Sequence, residues 1–185
     1  YADSYNNMAN ALKDQGKLHK AIDAYKKAIL IKPDYAIAYS NLGNALKDIG
    51  KLKASIEAHK KSVLLEPNNP IFYNNMGITL KEQGKLEEAI IIYNKAIYFK
   101  PDYATAYSNM GNALKDQGKI REASEAFKQA LIIDKSHVET YNNMGSALQE
   151  SGKLDDAIKV YRKALSIEPD YAEAHENLSF MLLNS

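Results

Sequence analysis

The chain has 185 residues, 45% apolar and 25% charged, with a net charge of +1. That balance is ordinary for a globular protein, and it supplies neither a basic field for nucleic acid nor a polybasic segment for a membrane surface. Cysteine is absent, which excludes disulfides and thiolate metal sites, and no apolar run approaches the ~20 residues needed to span a bilayer.

A 34-residue period runs along the sequence: Tyr5, Tyr39, Tyr73, Tyr107 and Tyr141 recur at that interval, and His175 takes the same place in a sixth, shorter copy. Gly16, Gly50, Gly84, Gly118 and Gly152 keep the same beat, as do Pro33, Pro67, Pro101 and Pro169. Such a period marks a stack of identical supersecondary units, and a stack offers a long surface and no single deep cleft. The units run 2–35, 36–69, 70–103, 104–137 and 138–171, with a half unit over 172–185, in one continuous array. Positions within a unit are called slots, counted from its first residue.

In chain order, each unit predicts a helix over about slots 2–14, a glycine turn, a second helix over about slots 18–31, and a stop. The first unit carries Ala9 at slot 8, where the next four carry Gly43, Gly77, Gly111 and Gly145. The second unit places Ser55, His59 and Ser62 where the others have small apolar or aromatic residues, so its second helix is expected to be the least stable inside the array. The third unit is the cleanest. Tyr73, Met76, Gly77 and Leu80 repeat at i, i+3, i+4 and i+7, and Leu86, Ala89, Ile90, Tyr93, Ala96 and Ile97 form the second stripe before Pro101 ends it. The fourth unit has Lys135 where a proline is expected. The half unit supplies one helix with Leu178, Met181 and Leu182 and no second helix to cover it, which suggests a segment of a longer array. Small residues at slots 8 and 20 are expected to face each other and let the two helices of a unit approach closely.

The pattern aromatic–x2–[Leu/Met]–small–x2–Leu, then Ala–x3–aromatic–x2–Ala, then Pro, resembles the tetratricopeptide repeat. The resemblance implies an all-α fold, an α-solenoid of tandem helix-turn-helix units wound as a right-handed superhelix, with first helices lining the concave side. It implies a protein-interaction module.

A second stripe of the first helix falls at slots 2, 6, 9 and 13, on one face. Slot 6 is Asn7, Asn41, Asn75, Asn109, Asn143 and Asn177, and slot 9 adds Asn10, Asn44 and Asn112. Asparagine costs ~0.6 kcal/mol against alanine inside a helix. Its amide, however, can bond a peptide C=O and N–H together. Runs such as SNMGNALKDQGK resemble the superhelical arm of O-linked N-acetylglucosamine transferases, whose concave asparagine ladder grips extended polypeptide; by slot, that ladder falls on the six slot-6 asparagines. Two readings stay open: a row that binds polypeptide, in an adaptor or a substrate-recruiting segment of a glycosyltransferase, and a row that bonds within or between neighbouring helices. Slots 12 and 13 alternate lysine and acid, read as a solvated, self-neutralising rim. A lysine clamp for a C-terminal carboxylate, known in some members, is not expected, since slots 2 and 5 hold no Lys or Arg.

Catalysis is not expected. His19, His59, His137 and His175 fall in four different slots, and no His-x3-His pair, phosphate loop or nucleophile elbow is present. No cofactor or metal is expected. The competing reading is a scaffold that self-associates as a homo-oligomer or end to end, through Leu178, Met181 and Leu182 or through Ile91, Ile92 and Tyr98 on an outer face. The opening Tyr-Ala-Asp lacks a charged n-region and an apolar h-region, so a cytoplasmic location is the expectation.

Overall fold

A computed structural model describes residues 1–183; Asn184 and Ser185, the last two positions of the half unit, lie outside the described residues. The described residues form eleven helices and no strand. They run α1 (Ala2–Asp14), α2 (Leu18–Ile31), α3 (Ala36–Asp48), α4 (Leu52–Leu65), α5 (Pro70–Glu82), α6 (Leu86–Phe99), α7 (Ala104–Asp116), α8 (Ile120–Ile133), α9 (Val138–Glu150), α10 (Leu154–Ile167) and α11 (Ala172–Leu183). Each complete unit is thus helical over slots 1–13 and 17–30, one residue earlier at every boundary than the periodicity predicts. None of these helices is long and apolar enough to cross a membrane.

The turn inside each unit explains its glycine. Gly16, Gly50, Gly84, Gly118 and Gly152 all have φ between 72° and 79°, a region that a Cβ makes costly. In the first unit Lys17 N donates to Leu12 O at 2.9 Å and Gly16 N to Lys13 O at 2.8 Å. This pair of bonds caps the helix's last carbonyls, and it recurs in every unit as Lys51 to Leu46, Lys85 to Leu80, Lys119 to Leu114 and Lys153 to Leu148. The second helix ends on an extended residue, such as Lys32 (φ −130°, ψ 87°), which the following proline favours. Lys135 replaces that proline without altering the exit. There the Asp134 carboxylate accepts from Ser136 N at 2.9 Å and from Ser136 Oγ at 2.6 Å, fixing the turn.

Inside a unit the close approach is glycine against ring. A Cβ built on Gly43, Gly77, Gly111 or Gly145 would stand 2.5 Å from His59, Tyr93, Phe127 or Tyr161 respectively. The partner of slot 8 is therefore the slot-24 ring, and the slot-8 to slot-20 pairing expected from sequence is secondary. It survives in the second unit, where Ser55 Oγ donates to Gly43 O at 2.8 Å. Slots 3 and 10 form a further packing face. Ala38 and Ala45, Phe72 and Thr79, Thr140 and Ala147, and Ala174 and Met181 are all buried.

By contact the helices form two compact parts, Tyr1–Lys100 and the stretch from Pro101. Within the first, consecutive leading helices meet (α1 with α3, α3 with α5), whereas α2, α4 and α6 do not approach one another. Within the second, α7 meets α9 and α9 meets α11, and α8 stays apart from α10. In each part the leading helices lie together on one side and the second helices are splayed on the other.

Candidate polypeptide-binding face

The leading helices carry the asparagine row, and the structure shows what their amides do. In the first part Asn41 Nδ2 donates to Asn6 Oδ1 at 3.1 Å, with a longer approach of 3.4 Å to Asn10 Oδ1. Asn75 Nδ2 donates to Ser40 Oγ at 3.2 Å. In the second part Asn177 Nδ2 donates to Asn142 Oδ1 at 2.9 Å. Asn6, Ser40 and Asn142 all occupy slot 5 of the preceding unit. At Asn75 and Asn177 one N–H of the slot-6 amide thus ties a leading helix to the one before it, while the second N–H and the Oδ1 are not consumed by that bond; Asn41 donates to two acceptors of the helix before it.

Asn143 breaks the rule. Its Nδ2 is buried with no partner, although Ser108 stands in the same slot-5 position as Ser40. One residue sets this unit apart. Thr140, at slot 3, donates its own hydroxyl to Ser108 Oγ at 2.8 Å and lies 2.8 Å from His137 Nδ1. In the third unit slot 3 is Phe72, which has no hydroxyl, so Ser40 is left to accept from Asn75. Asn143 also lines a recess of about 760 Å³ walled by Asp134, Glu139, Glu168, Tyr171 and Glu173. There the Tyr171 hydroxyl donates to Glu173 Oε2 at 3.0 Å. Burial, that bond and the charges of Glu173, Glu139 and Glu168 push the phenol up to about 12.

Asn7 is exposed, and Asn41, Asn75, Asn109, Asn143 and Asn177 are half-buried. At slot 9, Asn44 and Asn112 are half-buried, while Asn10 faces its own hairpin and accepts from Tyr25 OH at 2.6 Å. Burial, with Asp14 and Asp48 nearby, pushes the Tyr25 hydroxyl up to about 12, so it stays a donor.

The rim at slots 12 and 13 links units. Lys47 Nζ lies 3.0 Å from Asp48 and 3.2 Å from Glu82, and Lys13 reaches Asp48 at 3.7 Å. Burial works against the Lys47 charge, but its bonds to Asp48 and Glu82 outweigh that and hold its pKa above the ordinary value. Lys115 pairs with Glu150 at 3.5 Å and donates to Ser146 Oγ at 3.1 Å.

The histidines are dispersed. His19 is exposed, and His137 is half-buried beside Thr140. His175 Nε2 lies 2.7 Å from Pro169 O, repeating the bond that Tyr73 OH makes to Pro67 O at 2.8 Å. His59 is fully buried with neither ring nitrogen bonded; burial, with Lys47 nearby, lowers its pKa to about 4.

Of the residues read as self-associating, Ile91 and Tyr98 are exposed and Ile92 is half-buried. Met181 is corrected: it is 5% exposed and sits in the last core with Tyr161 and Ala164, because slot 10 faces the preceding hairpin. Leu178 packs half-buried against the same core, leaving Leu182 exposed.

Comparison with known proteins agrees with this architecture. A family model described as TPR repeat matches residues 9–50, 43–84, 79–118, 111–152 and 145–183. Among solved structures, MamA is 28% identical with a TM-score of 0.76, covering 89% of this chain and 96% of its own. TTC0263, a thermophilic TPR protein of Thermus thermophilus, is 22% identical with a TM-score of 0.82, covering 99% of this chain and 100% of its own. YrrB, described as a TPR protein with an unusual peptide-binding site, is 23% identical with a TM-score of 0.70, covering 95% of this chain and 91% of its own. No curated protein matches the chain in sequence.

Proposed function

Since the chain belongs to the tetratricopeptide repeat family, whose members generally act through protein–protein contact, we propose that it holds extended polypeptide along its leading helices through the slot-6 asparagines. The observation that carries this reading is the half-committed amide. Asn75 and Asn177 each spend one N–H on the preceding unit, and Asn41 donates to both Asn6 and Asn10 there, which fixes the amide plane in advance of any ligand. An extended chain offers a C=O and an N–H at each residue, the complement of what the amide retains. A preset amide loses less side-chain entropy on binding than a free one. At Asn143 the unpartnered Nδ2 is buried, so only the part of its amide that lines the recess is open to a ligand. Because the bonds go to backbone, such grip is tolerant of sequence, which suits an adaptor or a substrate-recruiting segment, including one serving a glycosyltransferase. The presence of the fold in YrrB beside a peptide-binding site is compatible with this use.

The test is isothermal calorimetry of a pool of unstructured peptides against the chain and against Asn75→Ala/Asn109→Ala/Asn143→Ala. A loss of at least about tenfold in affinity, with helicity retained, is expected. Unchanged affinity would defeat the reading. If that result came with a lower melting temperature, the row would be a clasp between units, the second reading that the Asn41, Asn75 and Asn177 bonds favour.

A further inference from the structure

The splayed second helices carry a row of their own. At slot 29 Leu30 is 82% exposed, Leu64 72% and Tyr98 79%, all within the first compact part. Three and four residues before each stand the side chains one helical turn away: Lys26 and Lys27, Lys60 and Lys61, Asn94 and Lys95, all exposed. In α2 and α4 an exposed apolar side chain near the helix end thus follows two ammonium groups one turn earlier, and in α6 it follows one, Lys95, beside the Asn94 amide. Lys60 pairs with Glu57 at 2.9 Å, and Lys27 and Lys95 lie 5.8 Å and 6.0 Å from the rings of Tyr5 and Tyr73. Lys26 and Lys61 have no carboxylate partner among the described residues.

The surrounding charge points the same way. Up to Lys100 the chain has fifteen Lys and Arg against ten Asp and Glu; from Pro101 it has nine against thirteen. The near-neutral total conceals a basic first part and an acidic second.

We infer that the outer face of α2, α4 and α6 is a docking surface for an acidic amphipathic helix of a protein partner. The spacing sets the partner's form. Leading helices in contact are on the order of 10 Å apart, and the second helices stand farther apart than that. A helix rises about 10–16 Å over seven to eleven residues, so apolar side chains at that interval reach Leu30, Leu64 and Tyr98 in turn. Glutamates flanking them meet the pairs Lys26/Lys27 and Lys60/Lys61 and the single Lys95. A membrane suits the face less well, because Asp23 and Glu57 lie on the same outer turns and an anionic headgroup layer repels them. A helix with spaced carboxylates avoids both.

The probe is a labelled peptide of about 27 residues, of helix-forming sequence with leucines every eleven residues, each flanked by glutamates, read by fluorescence anisotropy at low and high salt. The expected result is micromolar binding that weakens with salt and falls at least about tenfold in Leu30→Ser/Leu64→Ser and in Lys26→Glu/Lys27→Glu/Lys60→Glu/Lys61→Glu. Asn75→Ala/Asn109→Ala/Asn143→Ala should bind the probe normally, which separates this surface from the asparagine row. The inference is overturned by affinity no tighter than millimolar or by equal binding in the serine and glutamate variants. It is likewise overturned by tighter binding to vesicles containing about 30% phosphatidylserine than to the peptide.

Discussion

The two compact parts repeat one plan with different side chains at a few equivalent slots, and those slots show which contacts the fold demands. At slot 24 the second unit has a buried imidazole with two unbonded nitrogens, whereas the fourth has Phe127, which fills the same place over its glycine without a polar atom. At slot 3, Phe72 stands where Ser40 accepts from Asn75, whereas Thr140 donates to Ser108 where the Asn143 Nδ2 has no partner. At slot 12, Lys47 bridges two carboxylates and Lys115 reaches one. The backbone tolerates every variant. What changes is which polar group is left without a partner.

The largest effect is expected at His59. Its pKa is lowered to about 4 in the folded chain from 6.5 when unfolded, so the unfolded state binds more protons between those values. Its share of stability is therefore whole above about pH 6.5 and is lost as the pH falls towards 4, by about 3 kcal/mol at that end. His59→Phe copies Phe127 and removes that share of the pH dependence. Urea midpoints of both proteins between pH 7 and pH 4 should diverge steadily, and parallel curves would refute the burial argument.

A smaller difference separates the asparagines. Asn75→Ala removes a bond to Ser40 and should cost about 1 kcal/mol. Asn143→Ala removes an unsatisfied donor and should be neutral or slightly stabilising. Thr140→Val, by freeing Ser108, should make Asn143→Ala costly again. Denaturation midpoints of the five proteins check this, and equal costs at the two asparagines would show that the Asn143 amide is bonded after all.

The smallest contrast lies in the rim. Lys47→Met should cost more than Lys115→Met, each at most about 1 kcal/mol because the pairs are partly solvated. Both losses should shrink in high salt. Thermal melts at low and high ionic strength would show it, and a salt-independent difference would place the cause in packing.

Much of this was legible in the residues. Gly16 and its equivalents announce a turn because only a left-handed backbone closes it, and the Tyr5 series marks one helical face at a fixed period. The asparagine row was legible as a row, and bonding between neighbouring helices was one of its two readings, but the acceptors were not legible, because they lie one unit away at slot 5. Met181 was misread for the same reason: an isolated helix gives no sign that slot 10 packs on the preceding hairpin.

Sequence alone determined the helix boundaries to within a residue, the turns and the repeat, since these depend on local backbone chemistry and on periodicities of a few residues. Tertiary structure decided the partners: His59 over Gly43, Thr140 on Ser108, Asn75 on Ser40, and Leu30 left in solvent one turn after Lys26 and Lys27. Those outcomes depend on which side chains meet across separate helices. For the asparagine row the acceptor slot, that of Ser40 or Ser108, lies in the repeat before the one that reaches for it.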